Sequence, residues 1–165
     1  MSDGIGSGIP ARGCPTLLVS ACLLGVRCNH VGEDNRSDAV LQLRDTYRLV
    51  PVCPETAGGL PTPRPAAELG ADGVVRVASG DDVTDAYERG AAHAVRLAKA
   101  MGATQAVLKA RSPSCGCHEV YDGSFTRTRR SGMGVTAAAL VAAGVEVRSE
   151  DDVSDGNGAL EAPSG

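Results

Sequence analysis

Three of the six cysteines in this chain follow short apolar runs that predict buried β-strands. They are Cys22, Cys53 and Cys115, and the runs before them are 16–21, 48–52 and 106–108. Open α/β sheets place their ligand sites at the carboxyl ends of the strands. We therefore expect three thiols that are remote in the sequence to meet at one edge of a sheet. A proline and a glycine within residues 112–117 predict a tight turn around the third cysteine.

Thiolates are soft ligands that select zinc, copper(I) or iron–sulfur clusters. A structural zinc site usually takes its cysteines as closely spaced pairs, whereas Cys22, Cys53 and Cys115 are far apart in the chain. Three thiolates are also one fewer than the four that complete a [4Fe–4S] cluster. An iron without a protein ligand is a Lewis-acidic position open to substrate, by the logic that separates catalytic from structural zinc sites.

Other interpretations of these cysteines stay open on the residues alone. Free cysteine packs as a small core residue, so each of the three could be inert. One of them could instead be the nucleophile of an enzyme that uses no metal. A non-catalytic iron–sulfur or metal-binding protein, or a sulfur carrier, is a further alternative. Cys14, Cys28 and Cys117 do not follow predicted strands, and their roles stay open.

Charge and hydropathy limit the partners of the protein. The formal charge of −4 includes five acids and no bases within residues 150–165, so the remaining chain carries +1. A nearly neutral body argues against DNA and makes tRNA an unlikely partner, because phosphate contacts need Lys and Arg. No apolar run has the ~20 residues of a membrane helix, and the N-terminus lacks a signal-peptide core. We expect a cytoplasmic protein with reduced, metal-bound or catalytic cysteines.

Strand patterns alternate with helical patterns along the chain. This alternation predicts one α/β domain, Rossmann-like and three-layered, with four or five mainly parallel strands. The longest helix is expected to be capped by Asp82, Thr84 or Asp85 and to run to about Met101. A short hairpin is expected around Asp122-Gly123. The predicted divisions are a flexible lead-in at 1–13, the domain at 14–149, and an acidic disordered tail at 150–165.

Several motifs occur in the order found in one known family. They are VSACLLG at 19–25, PVCPE at 51–55, GGLPTPRP at 58–65, DVT at 82–84, KARSPSCG at 109–116, YDG at 121–123 and GMGVT at 132–136. In these motifs the chain resembles the TudS-like thiouracil desulfidase family, small bacterial iron–sulfur proteins long described as a domain of unknown function. The resemblance covers roughly residues 16–150.

The resemblance implies a [4Fe–4S] cluster on Cys22, Cys53 and Cys115, with a transient sulfide-bound form. It implies that a small thione, such as 2- or 4-thiouracil, becomes a carbonyl compound without net redox change and that sulfide is released. Glu55 matches the catalytic acid/base of the family, and Ser112 matches its active-site serine.

Three further residues are candidates for substrate binding. Lys109, at a strand end, could add positive charge, although a structural role is equally compatible with its position. Arg64 could orient substrate or pair with an acid such as Glu68. Ser114 lies in the same turn as Ser112 and could share its role.

Overall fold

The structure is a computed structural model that describes residues 13–153 and Leu160. Its strands, numbered in chain order, are β1 (Thr16–Ser20), β2 (Arg48–Val52), β3 (Ala67–Leu69), β4 (Val75–Val77), β5 (Gln105–Leu108), β6 (Glu119–Tyr121), β7 (Arg129–Ser131) and β8 (Glu146–Ser149). Its helices are α1 (Asp38–Gln42), α2 (Pro54–Ala57), α3 (Thr84–Met101) and α4 (Val135–Ala142). The predicted lead-in up to residue 12 and most of the predicted tail lie outside these described residues.

A parallel sheet of four strands, in the order β2-β1-β5-β8, forms the centre of the domain. Successive residues of a strand point to opposite faces. Leu18 therefore packs with Ala98 of α3 and Leu140 of α4, while Leu17 packs with Val40 of α1 on the other face. Helices thus cover both faces, and the prediction of a three-layer Rossmann-like domain with a mainly parallel sheet is confirmed.

The helix α3 begins and ends close to its predicted limits. The Asp82 carboxylate accepts the backbone N–H of Thr84 at 2.9 Å, which supports the first turn. Gly102 ends the helix with a left-handed φ of 70°, a conformation that costs glycine little. Its buried face consists mainly of small residues, so the helix can lie close to its neighbours: Ala86, Tyr87, Gly90, Ala91, Ala94 and Ala98.

The strand order creates a crevice at the carboxyl edge of the sheet. The chain passes from β1 to its neighbour β2 on one side, and later returns to place β5 on the other side of β1. Loops that leave β1 and β5 therefore diverge, and open sheets bind ligands at such a switch point. The turn that carries Cys22 and the loop at 109–116 flank this crevice.

Two small antiparallel hairpins lie beside the central sheet. One pairs β3 with β4, and the other pairs β6 with β7. The second corrects the hairpin predicted around Asp122-Gly123, because β6 pairs with residues 129–131 and the connection spans 122–128. The intervening loop uses side chains rather than a two-residue turn, since Glu68 accepts the N–H groups of Gly123 and Phe125.

The C-terminal limit of the domain also differs from the prediction. Residues 150–152 form a 3-10 turn, which Ser149 and Asp152 close with a capping box, so the disordered tail does not begin at residue 150. The three acids of this turn each have a partner in the body of the protein: Glu150 pairs with Lys109, Asp151 with Arg111 and Asp152 with His118. Within residues 13–153 and 160, no helix combines the length and the apolarity that crossing a bilayer requires.

Candidate active site

A cavity of about 650 Å³ occupies the crevice at the carboxyl edge of the sheet. Its volume lies within the range of small-molecule sites. Seven of the eight residues that the sequence predicted for the site line this cavity: Cys22, Cys53, Glu55, Arg64, Lys109, Ser112 and Cys115. Residues from all three predicted strand ends therefore converge, as the parallel topology requires.

Cys22 lies in a 3-10 turn, Ala21–Leu24, that begins where β1 ends. The turn closes on Gly25, whose φ of 100° allows its N–H to donate to the Cys22 carbonyl. Burial raises the pKa of the Cys22 thiol, while a hydrogen bond with Asn35 and the charge of Lys109 act in the opposite direction. The thiol is therefore shielded from water but has two groups that stabilise its thiolate.

Cys53 follows β2 and stands directly before α2. As a thiol its Sγ donates to the Cys28 carbonyl at 3.8 Å. As a thiolate it accepts hydrogen bonds from Cys28 and Thr56, which lower its pKa in spite of its burial. Among Cys22, Cys53 and Cys115, Cys53 is thus the one whose surroundings most favour the thiolate that binds a metal. Cys28 also lines the cavity.

The loop at 112–116 carries Cys115 and is built around the side chain of Ser112. The Ser112 Oγ accepts the backbone N–H groups of Ser114 and Cys115, each at 3.0 Å. Burial raises the pKa of Cys115 to about 12, and the hydroxyl of Ser20 acts in the opposite direction. The predicted tight turn therefore holds its cysteine in the interior, with only 4% of the residue exposed.

The first turn of α4 anchors the same loop. The backbone N–H groups of Val135 and Thr136 donate to the carbonyls of Pro113 and Ser114, at 2.9 and 2.8 Å. A Cβ atom on Gly134 would lie 2.5 Å from the Ser114 carbonyl oxygen, so only glycine permits this approach. The first backbone N–H groups of a helix have no partner within the helix, and here they bind the loop instead of water. This contact explains the glycine-rich motif at 132–136.

The spacing of the cavity cysteines bears on what they can hold. Charge on Cys53 raises the pKa of Cys22, and charge on Cys22 raises that of Cys115, so the thiols lie within electrostatic reach of each other. Within the described residues, however, the sulfurs of Cys22, Cys53 and Cys115 do not all lie within 4.8 Å of one another. Three thiolates on one zinc, at ~2.3 Å each, could be at most ~4.6 Å apart. A [4Fe–4S] cluster spreads its cysteines over different irons, and therefore fits these residues better than a single ion.

Glu55 projects from α2 and is held through one of its two oxygens. Its Oε2 accepts the hydroxyl of Tyr87 at 2.5 Å and the Nε of Arg64 at 3.3 Å. Within the described residues Oε1 accepts no hydrogen bond, although the side chain lines the cavity and is only 16% exposed. The arrangement fixes the carboxylate while leaving one oxygen for a water molecule or a substrate proton.

Two glycines bring Glu55 and Tyr87 together. A Cβ atom on Gly58 would lie 2.0 Å from the Ala86 carbonyl oxygen, and one on Gly90 would lie 1.9 Å from the Pro54 carbonyl oxygen. The backbones of α2 and α3 are therefore in contact, and neither position has room for a side chain. This contact places the start of α2 against the part of α3 that carries Tyr87.

Arg64 positions Glu55 in this structure and also lines the cavity, and its predicted contact with substrate stays a prediction. Its side chain is 3% exposed and bonds to the carbonyls of Pro61 and Cys28, the hydroxyl of Thr62, and Glu55. The acid it pairs with is Glu55 and not Glu68. Arg64 thus ties the proline-rich loop to the Cys28 carbonyl, which also accepts from Cys53.

Lys109 and Ser114 differ from each other in their placement. Lys109 lines the cavity, but its Nζ bonds to Glu150 at 3.1 Å, so its charge is shared with the C-terminal turn. Ser114 is fully buried outside the cavity lining, and its hydroxyl pairs with that of Thr136 at 2.9 Å. Ser114 therefore links the loop to α4, and its predicted contact with substrate stays a prediction.

Sequence patterns missed three residues that act on the site. The candidate site residues given above do not include Tyr87, Ser20 or Asn35. The structure directs Tyr87 to Glu55, Ser20 to Cys115 and Asn35 to Cys22. A polar hydroxyl within the buried face of a helix was a signal for the first of them, since buried Tyr usually finds a partner.

Comparisons with known proteins find a matching family, a relative and a solved structure. A family described as 2-thiouracil desulfurase matches residues 17–152. A Bacillus subtilis (strain 168) protein named YbbK, itself uncharacterised, is 41% identical over 148 residues, which are 84% of this chain and 98% of that protein. A solved structure described as the [4Fe–4S]-dependent thiouracil desulfidase TudS is 42% identical, with a TM-score of 0.79. The match covers 84% of this chain and 92% of the TudS chain.

Proposed function

This chain belongs to the 2-thiouracil desulfurase family, and from that premise we propose that it is a [4Fe–4S]-dependent desulfidase acting on a thiouracil-type thione. The observation that carries the proposal is the convergence of Cys22, Cys53 and Cys115 on one cavity that also contains the fixed carboxylate of Glu55. In the reaction, water replaces the sulfur of the C=S group. Both protons of the water leave with the sulfur as hydrogen sulfide, so no electrons are gained or lost.

Cys22, Cys53 and Cys115 would hold the cluster. When bound on three cysteines, it supplies one iron without a protein ligand, a Lewis acid with affinity for a soft thione sulfur. The chain contributes the dry surroundings of the thiols and the donors around them. Asn35 acts to lower the pKa of Cys22 and Ser20 that of Cys115, so a polar neighbour favours each of these buried thiolates.

Glu55 is the proposed acid/base of the reaction. Its Oε1 can take a proton from the attacking water and return it to the leaving sulfur. Tyr87 and Arg64 both bind Oε2, so the carboxylate keeps one orientation while its proton moves. Positioned general base catalysis typically contributes about 10²–10⁴-fold to a rate. This single carboxylate serves both proton transfers because the two reacting atoms are attached to the same carbon.

The contacts that the Ser112 hydroxyl already makes restrict how it can bind the substrate. A hydroxyl offers one donor and two acceptor positions. The Ser114 and Cys115 N–H groups occupy the acceptor side of Ser112 Oγ. We infer that Ser112 donates its proton to the substrate, either to the oxygen that develops at the reacting carbon or to a pyrimidine edge.

The cavity fits a small molecule rather than a folded nucleic acid. About 650 Å³ accommodates a cluster with a pyrimidine-sized ligand beside it. The body of the chain lacks the excess of Lys and Arg that tRNA binding requires. We therefore propose 2- or 4-thiouracil, or a related small thione, as the substrate.

Anaerobic reconstitution with iron and sulfide tests the proposal. The wild-type protein should bind about four irons per chain and convert thiouracil to uracil with equal amounts of sulfide. Cys22→Ser should lose both iron and turnover, whereas Cys14→Ser, which changes a cysteine outside the cavity lining, should retain both. Parallel assays of the reconstituted protein with 2-thiouracil and with 4-thiouracil determine which thione is preferred.

Glu55→Gln separates an enzyme from a sulfur carrier. If the proposal holds, this variant keeps its iron and loses at least about 100-fold in kcat. A carrier or a simple iron–sulfur protein would be indifferent to the substitution. Turnover that survives removal of iron and needs only one cysteine would instead indicate a metal-free nucleophile, and the proposal would be abandoned.

A further inference from the structure

Three side chains with ligand atoms meet outside the cavity, where the Cys115 loop contacts the C-terminal turn. They are Cys117, His118 and Asp152, and one ligand atom of each lies within 4.8 Å of the other two. Within residues 13–153 and 160, this is the only trio of Cys, His, Asp or Glu so closely spaced. Cys117 has no part in the mechanism proposed above. We propose that the trio is a second metal site, selective for Zn²⁺ or a similar divalent cation.

The donor set favours zinc over other common cations. A thiolate, an imidazole and a carboxylate are all regular zinc ligands, at ~2.0–2.3 Å from the ion. The sulfur disfavours Mg²⁺ and Ca²⁺, which take oxygen ligands, and the carboxylate disfavours copper(I), which prefers sulfur. Three protein ligands leave the fourth tetrahedral position for water.

Little rearrangement separates the present geometry from a bound one. In a tetrahedral site with bonds of ~2.0–2.3 Å, two ligands of one ion lie about 3.3–3.5 Å apart. The ligand atoms of the trio lie within 4.8 Å of one another, and Asp152 Oδ2 and His118 Nε2 are already 2.7 Å apart, so side-chain shifts of at most about 1.5 Å close the site. The sulfurs of Cys22, Cys53 and Cys115 do not all lie within 4.8 Å of one another, and the two sites therefore differ in what they can hold.

The structure also fixes the carboxylate before any metal arrives. Asp152 Oδ2 accepts the backbone N–H of Ser149 at 2.9 Å and lies 2.7 Å from the Nε2 of His118. A carboxylate with a defined orientation beside an imidazole loses less conformational entropy when it binds an ion. The capping box of the C-terminal turn, rather than the flexible end of a loop, supports this ligand.

Charge around the trio favours a cation at Asp152. Its two acidic neighbours in sequence are each paired with a basic residue, Glu150 with Lys109 and Asp151 with Arg111. Asp152 pairs with the imidazole of His118 instead, and among the described residues no Lys or Arg forms an ion pair with it. A bound ion would link the loop that carries Cys115 to the end of β8 through the turn that follows it.

The test uses the full chain reconstituted with its cluster, so that the cavity cysteines are occupied. The holoenzyme is incubated anaerobically with Zn²⁺ alone and desalted, and zinc and iron are then counted. We expect one zinc per chain in the wild type. The dissociation constant should rise by at least about 10–100-fold in Cys117→Ser and Asp152→Asn. Asp151→Asn is the matched control, since it removes an adjacent acid that is not in the trio, and it should bind zinc normally.

X-ray absorption at the zinc edge identifies the ligands independently of the variants. One sulfur with nitrogen and oxygen neighbours supports the site, whereas three sulfurs would mean that zinc had entered the cavity, and would overturn it. Failure of the wild type to retain zinc, or equal retention by Cys117→Ser, would also overturn it. His118→Ala keeps the test valid if a less exposed variant misfolds, because the His118 side chain is 61% exposed. If reconstitution yields no cluster, the same X-ray absorption measurement on the chain without a cluster still counts the sulfur ligands of zinc and decides the outcome.

Discussion

Removing the hydroxyl of Tyr87 should slow desulfidation without removing the cluster. Tyr87→Phe deletes one of the two hydrogen bonds that orient Glu55, the 2.5 Å bond to Oε2, and leaves the ring buried in place. A hydrogen bond to a charged group contributes about 1.5–3 kcal/mol. At 1.36 kcal/mol for each tenfold change in rate, its complete loss from the transition state corresponds to about 10–150-fold.

The remaining bond from Arg64 sets where in that range the effect should lie. Arg64 still holds Oε2 at 3.3 Å, so we expect a decrease of about 10–30-fold in kcat with little change in KM. The assay is anaerobic turnover of thiouracil by reconstituted protein, normalised to iron content. Tyr47→Phe, which alters a tyrosine in the core cluster on the other face of the sheet, is the control.

Two results would refute this reasoning. An unchanged kcat would show that the Tyr87 hydroxyl does not position Glu55 during the reaction. Loss of iron together with activity would show that the residue supports the cluster rather than the carboxylate.

Three further substitutions test separate contacts. Gly90→Ala should lower the free energy of unfolding by about 1–3 kcal/mol, because the added Cβ meets the Pro54 carbonyl. This cost exceeds the ~1 kcal/mol that alanine gains over glycine in a helix. Thermal unfolding measures the loss against Ala92→Ser, a control at an exposed position of α3, and equal stability of the two variants would contradict the close approach. Ser114→Ala should lower the free energy of unfolding by about 1–3 kcal/mol, because it leaves the buried Thr136 hydroxyl without its partner. The folded Ser114→Ala holoenzyme should keep its kcat, whereas Ser112→Ala should lower kcat. A lower kcat in Ser114→Ala would instead support the predicted contact of Ser114 with substrate. Glu150→Gln should lower the free energy of unfolding by at most about 1 kcal/mol, and by less in high salt, because the ion pair of Glu150 with Lys109 is partly exposed. Urea unfolding measures the change. A larger loss would mean that the C-terminal turn is essential to the fold.

The fold was largely accessible from local patterns. Apolar runs predict three of the four central strands, β1, β2 and β5, because buried parallel strands need apolar residues on both faces. The spacing of apolar residues and the glycine at 102 likewise predict α3. Irregular connections were less accessible: β6 and β7 pair across a loop whose geometry depends on Glu68, which lies more than fifty residues away.

The cysteines and the family were determined by the sequence alone, because residue identity and order suffice for a motif. Which groups touch at the site was decided only by the tertiary structure. Glu55 meets Tyr87 across 32 residues of chain because two glycines allow α2 and α3 to come into contact. Arg64 was expected to orient substrate or to pair with an acid such as Glu68, and Ser114 to share the role of Ser112. In the structure their side chains bond to Glu55 and Thr136. Local patterns report burial and backbone shape, whereas the partner of a polar side chain depends on how separate elements pack against each other.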